Sequence, residues 1–212
     1  MKITQYGKEL DVSKYNWDKE TKTFSTKESN LVLDFSDYDG ITFKTGSNCT
    51  FDTGSDCIFD TDSSCTFKTG FNCTFDTGDS CTFKTGDNCT FDTGSDCTFN
   101  TVSNCTFHTG SNCTFNTGNN CTFKTGSGCT FKTGPDCTFN TGDSCTFHTG
   151  DNCFCIRCDV KGITEIPEGK KIKLNRRNIS GYTFIEEEPE VVSCAGKVVE
   201  IDGKKYKLVE SD

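Results

Sequence analysis

Cys73-Thr74-Phe75-Asp76-Thr77-Gly78-Asp79-Ser80 is followed by Cys81-Thr82-Phe83-Lys84-Thr85-Gly86-Asp87-Asn88 and by Cys89-Thr90-Phe91-Asp92-Thr93-Gly94-Ser95-Asp96. The same C-T-F-x-T-G-x-x octad runs in both directions from here, filling Ile41 to Asn152 with 14 copies and no slip in period. Phe holds the third slot and Thr the fifth in all 14; Cys holds the first in 13, with Ile41 the exception. Thr holds the second slot in 13, where Ile58 departs, and Gly the sixth in 12, where Asp62 and Val102 depart. Slot four wanders among Lys, Asp, Asn and His, which marks it as solvated. A fixed short period of this kind is the signature of a repeat architecture.

Cys73, Phe75 and Thr77 alternate with Thr74 and Asp76, so each octad is a strand with Cys, Phe and the second Thr on one face. The face carrying free charges must be the outer one. Gly in slot six followed by Ser, Asn or Asp is turn chemistry, and the expectation is that Gly supplies a positive φ there. On that reading the β-branched Val102 makes the turn at 101–104 depart from its neighbours.

One strand has a single buried face and needs another to cover it. Two octads supply this: 16 residues make one coil of a thin parallel β-solenoid, with Phe meeting Phe between two walls and Cys opposite the inward Thr. The 14 octads predict about seven coils, roughly 34 Å long at a strand spacing of about 4.8 Å. The predicted core is Cys49, Cys73, Cys89, Cys105, Phe75, Phe91, Phe107, Thr77 and Thr93. One observation resists: slot four reads Asp60, Lys68, Asp76, Lys84, Asp92, and a 16-residue coil stacks like charges on each wall. At ~4.8 Å in water this costs roughly 0.9 kcal/mol per pair before screening, less than exposing Phe.

The predicted fold class is therefore all-β, with three regions: 1–40 as an N-terminal cap, 41–160 as the solenoid and 161–212 as a small C-terminal β module. Leu33 and Phe35 are read as the first and third slots of a degenerate first turn, with Trp17 and Leu31 completing the cap that an open strand edge needs. Val198–Ile201, Asp202-Gly203 and Lys204–Val209 read as a hairpin with a two-residue turn.

Composition narrows the function classes. The 212 residues contain 17 Cys, 19 Phe and 20 Gly, carry a net charge of -9 and are only 32% hydrophobic. Residues 41–152 hold 5 basic and 12 acidic groups, so the rod repels phosphate and nucleic acid is not an expected partner. The sequence shows neither a signal peptide nor a membrane span, and the expected location is cytoplasmic or virion-associated. The ladder Cys are expected to be reduced and packed as small apolar residues.

Several motifs invite chemistry. Cys153, Cys155 and Cys158, with Cys194, form a zinc candidate, against the plainer reading that Cys153 and Cys155 continue inward slots one and three. Asp52-Thr53-Gly54-Ser55 and Asp92-Thr93-Gly94-Ser95 spell the D-T-G-S of aspartic proteases, but those enzymes need two carboxylates sharing a proton and these occupy an outward slot. Asn48, Asn72, Asn88, Asn104, Asn112 and Asn120 head formal N-glycosylation sequons and are read as turn residues. His108 and His148 fall on opposite walls. The outward Thr of slot two forms files of the kind that ice-binding proteins present, though neighbouring Lys and Asp disturb ordered water. The eight-residue period is also similar to that of bacterial ice-nucleation proteins.

Taken whole, C-T-F-x-T-G-x-N, as in Cys89–Gly94 and Asn104–Phe107, resembles the narrow cysteine-stack β-solenoids met in bacterial and bacteriophage sequences. The resemblance covers about half the chain and implies a fold, with no catalytic residues to carry over. The expected function is a non-enzymatic structural or interaction rod without cofactor, meeting a protein partner through 161–212. The alternatives are ice or ordered-surface binding through the Thr files, and a metal-binding or thiol-redox protein.

Overall fold

The computed structural model describes residues 1–157, 159–186, 198–201 and 204–207. The chain winds into a thin all-β solenoid of about eight turns, with two sheets lying back to back. Within each sheet, every repeat strand pairs in parallel with the strand 16 residues away: Phe75 lies in register with Phe59 and Phe91, and Phe83 with Phe67 and Phe99. The first wall therefore carries Phe43, Phe59, Phe75, Phe91 and Phe107, and the second carries Phe51, Phe67, Phe83 and Phe99.

The Phe rings fill the space between the walls. Phe91 stacks on Phe75 and Phe107 of its own wall at 4.8 Å with rings 2° from parallel, and meets Phe83 and Phe99 across the core at 5.2 Å, nearly edge to face. Both are favoured aromatic geometries, and each repeat ring from Phe59 to Phe131 takes part in four such contacts. The Cys, Phe and inward Thr of the predicted core, from Cys49 and Phe75 to Thr77 and Thr93, are all buried.

The turn corrects the expectation about glycine. The left-handed residue is the one in slot eight: Asn72 (φ 56°), Ser80 (60°), Asn88 (58°) and Asp96 (59°) repeat one conformation in coil after coil. Asn, Asp and Ser tolerate this region because short polar side chains bond locally. Gly in slot six serves close approach instead. A Cβ on Gly70 would stand 2.1 Å from Ser55 Oγ, and that hydroxyl accepts the N–H of Phe71 at 3.2 Å. Gly thus makes room for the slot-seven side chain of the coil before. Val102 consequently does not force a new turn, and Asn104 keeps the common φ of 58°. Its effect is local: Gly86 donates to the Gly70 carbonyl at 2.9 Å, but among the described residues no backbone bond joins Val102 N–H to Gly86.

The ladder also begins earlier than the octads. Thr23–Thr26 pairs in parallel with Thr42–Thr45, and Leu31–Phe35 with Thr50–Thr53. This extends the expected seven coils to about eight. Leu33 aligns with Phe51 and Phe35 with Thr53, so these residues occupy slots three and five rather than one and three. Phe35 in a Thr slot closes the core end, its ring 5.0 Å from Phe43 and 6.0 Å from Trp17.

At each end an antiparallel strand covers each sheet. Tyr15–Asp18 and Lys2–Gln5 close the first turn, while Ile163–Ile166 pairs with Cys153–Arg157 and Lys171–Leu174 with Thr146–His148. Residues 163–174 thus continue the two sheets. Val198–Ile201 pairs antiparallel with Lys204–Lys207 as expected, with Asp202, Gly203 and Val209 outside the described residues.

The paired caps make register measurable. Deleting Cys89–Asp96 moves every later strand to the opposite wall and presents each C-terminal cap strand with the wrong sheet, whereas deleting Cys89–Asn104 removes one whole coil. Thermal melts are expected to show the longer deletion as the more stable protein. Phe91→Ala is expected to cost ~3–5 kcal/mol in denaturant unfolding, as large-to-small changes of buried aromatics do.

Candidate functional site

The alternation of each strand divides side chains into a sealed interior and two outward faces. Inside, the fifteen described cysteines are all free and buried. All but Cys155 form two columns spaced by 16 residues, one through Cys49, Cys65 and Cys81 and the other through Cys57, Cys73, Cys89 and Cys105. Each thiol is held by backbone: Cys65 Sγ accepts from Cys49 N–H at 3.4 Å and donates to the Gly46 carbonyl at 3.7 Å. The hydroxyl of Thr69, at the end of the opposite wall, lies against Cys73 as the two-wall geometry requires. The neighbouring thiol Cys73, and then burial, push Cys57 above the ordinary thiol range. Thiolate formation is what cysteine reactivity needs, and burial opposes it at Cys57 and Cys73 alike.

Cys153 and Cys155 face the same interior. Cys153 ends one thiol column, and Cys155 takes a Phe slot, in register with Phe139. Cys155 is pushed up to about 11 by burial. These placements match the plainer reading of the zinc candidate; Cys158 and Cys194 lie outside the described residues, and no group of three or more metal-ligating side chains occurs among those described.

The outward slots separate the remaining motifs. Asp52 pairs with Asp34 on the second wall and Asp92 with Asp76 on the first, so the two D-T-G-S copies face opposite directions and share no proton. His108 and His148 are likewise on opposite walls. The sequon residues Asn48, Asn72, Asn88, Asn104, Asn112 and Asn120 all occupy the left-handed turn slot. The slot-two Thr residues form an exposed file on each wall. It is unbroken from Thr50 to Thr146 on the second wall, and Ile58 and Phe154 stand in it on the first.

Slot four is the charged column beside each file. Lys44, Asp60, Asp76, Asp92 and His108 follow one another on the first wall, and Asp34, Asp52, Lys68 and Lys84 on the second. Two ion pairs form within the walls, Lys68 with Asp52 at 2.6 Å and Lys44 with Asp60 at 3.5 Å. Both are exposed and contribute little to stability.

Sequence reasoning missed one cluster. Arg157 takes the inward Thr slot below Thr141 and is only 4% exposed. Its Nε and Nη2 donate to the two oxygens of Asp159 at 3.0 and 2.6 Å, and Nη1 and Nη2 also donate to the carbonyls of Ile179 and Arg176. Asp159 accepts from Asn178 N–H at 2.7 Å in turn. The guanidinium closes the core and ties the loop at 176–179 to the first wall. The signal was present: Cys153, Cys155 and Arg157 keep the inward alternation past the last octad. Beside them Phe154 and Ile156 stand outward and exposed, where the repeats hold Thr and a polar residue.

No family model matches the chain, and no curated protein or solved structure does. Among the described residues no helix is long and apolar enough to cross a membrane.

The thiol columns and the Arg157 cluster each carry a measurement. Under non-reducing conditions, iodoacetamide is expected to label the ladder cysteines of unfolded protein and to spare them in the native one; a majority found in disulfides would contradict the free columns. The Arg157 hydrogen bonds, reinforced by Asn178 N–H, hold the Asp159 carboxyl below its ordinary range. Its contribution is therefore present above the unfolded-state pKa of about 4 and lost as pH falls through the lower folded value. Asp159→Asn is expected to lower the Tm at pH 7, with the gap from wild type closing in acid, where the wild-type carboxyl is also neutral.

Proposed function

We propose that the chain is a non-enzymatic structural or interaction rod whose two outward walls are docking surfaces. The observation that carries this reading is the division of side chains: the reactive types, Cys above all, are sealed inside, while the surface repeats Thr beside a charged or polar residue along both walls. The interior supports rigidity and the exterior supports recognition. The C-terminal end adds a second point of attachment, because Phe154, Ile156 and Ile163 are exposed together where the repeat ends. The octad's resemblance to cysteine-stack solenoids supports a bacterial or bacteriophage setting, and free thiols support a reducing one. Ice binding is the weaker reading, since Lys68 and Lys84 stand beside the Thr file of the second wall and order water differently from hydroxyl and methyl groups.

A photo-crosslinking residue placed at Thr90 on the first wall and at Thr98 on the second tests the proposal in an extract of the native source. A discrete protein adduct at one wall or both is expected. Absence of any protein adduct at both positions would overturn the docking reading.

A further inference from the structure

The strict order Asp60, Lys68, Asp76, Lys84 in slot four is only partly used inside one molecule, where Asp60 and Lys68 have ion-pair partners and Asp76 and Lys84 have none among the described residues. The core separates the two walls, so Asp76 and Lys84 point away from each other, and along the first wall Asp60, Asp76 and Asp92 are direct neighbours. The two within-wall ion pairs engage Asp52 and Asp60; Asp76, Lys84 and Asp92 have no ion-pair partner among the described residues. Repulsion along a wall is thus retained at three successive rungs of the acidic file.

We infer that the partner of these walls is a second copy of this chain, stacked in the same orientation so that the second wall of one rod lies on the first wall of the next. This rests on the reading of the walls as docking surfaces. In that arrangement Asp52 faces Lys44, Lys68 faces Asp60 and Lys84 faces Asp76, three opposite pairs in consecutive coils. Asn100 then meets Asp92, Asn116 meets His108 and His148 meets Asn140, with Lys132 against Lys124 the one like-charged pair. Slot four lies at opposite ends of the strands in the two walls, so the copies are offset by about two residues, roughly 7 Å, along the strand. The faces suit such contact. They are in-register parallel ladders whose other outward slot is Thr, without an insertion between Thr74 and Thr146.

About eight rungs of ~4.8 Å and a strand width near 10 Å, of which the offset leaves about 3 Å facing the other strand, give on the order of 100 Å² of strand-on-strand contact per face. The total of ~200 Å² is far below the ~1,200 Å² of a stable pair, so the contact is weak and dependent on its charges. It is also heterologous: each copy keeps one free wall of each kind, and association continues into stacks rather than stopping at a dimer.

Sedimentation velocity of the full chain tests this at ~0.01 M and ~1 M ionic strength, where charges act over about 30 Å and 3 Å. At low salt, species heavier than the 23.4 kDa monomer are expected to grow with concentration and to be lost at high salt. Lys68→Glu/Lys84→Glu makes both facing columns acidic and Asp60→Lys/Asp76→Lys makes both basic; each variant alone is expected to remain monomeric while keeping the wild-type melt. An equal mixture is expected to associate again, through the acidic second wall of one and the basic first wall of the other. A wild type that stays monomeric at low salt, a variant that assembles like wild type, or a mixture that stays monomeric overturns the inference. A monomeric wild type that still crosslinks to a different protein at Thr90 or Thr98 does so while leaving the docking reading intact.

Discussion

An in-register parallel ladder stacks every side chain on the one 16 residues away, and that constraint governs the rest of the molecule. What is favourable for one neighbour is repeated along the rod, and so is what is unfavourable. Phe is suited to the central column because flat rings tolerate stacking at a strand spacing while presenting an edge to the rings opposite. Cys suits the column beside the turn for another reason: it is small, and its sulfur donates to the turn carbonyls beside it and, at Cys65, Cys81 and Cys97, also accepts the amide of the cysteine one coil before. Charged residues are poorly suited to such columns, and within the octads they occur only in the outward strand slot and in the turns, where water screens them.

The turns obey the same constraint through a relation between coils. A slot-six Gly does not relieve strain in its own turn. It leaves space into which the slot-seven Ser or Asp of the preceding coil reaches, and that side chain receives an amide from the next turn, as Ser55 does from Phe71 and Asp79 does from Ser95. Each turn is therefore built partly from its neighbour. This explains why Val102 is tolerated with one lost rung: Asp87 still accepts from Ser103 N–H at 2.7 Å, and Asn104 still carries the left-handed bend.

The coil length, the two walls and the core columns were legible because strict alternation and a fixed period express the geometry directly. Three features were less so. The role of Gly was misassigned because positive φ and close approach both select glycine, and only the position of Asn or Ser in slot eight distinguishes them. The first coil was misframed because the stretches from Lys22 and from Leu31 to the next repeat contain nine and ten residues, and insertions placed in turns shift a period without disturbing the ladder. Arg157 was passed over because an inward arginine contradicts the usual exposure of charge. It is accommodated only because Asp159 and two carbonyls satisfy its donors at the point where the repeat stops.

The ends show why a rod of this kind has a defined length. Each added coil buries two more Phe and two more inward Cys or Thr pairs, so the ladder itself contains no instruction to stop, and an open end would recruit any strand. Termination therefore takes residues that break the columns. At one end Phe35 fills a Thr slot and Trp17 lies against it; at the other Cys155 replaces Phe, Arg157 replaces Thr, and antiparallel strands cover both edges. The parallel ladder stops in this way at antiparallel strands, which do not offer the next coil an in-register template, while the walls are left bare. Docking is therefore proposed on the walls, with their Thr files and the charged columns that run beside them.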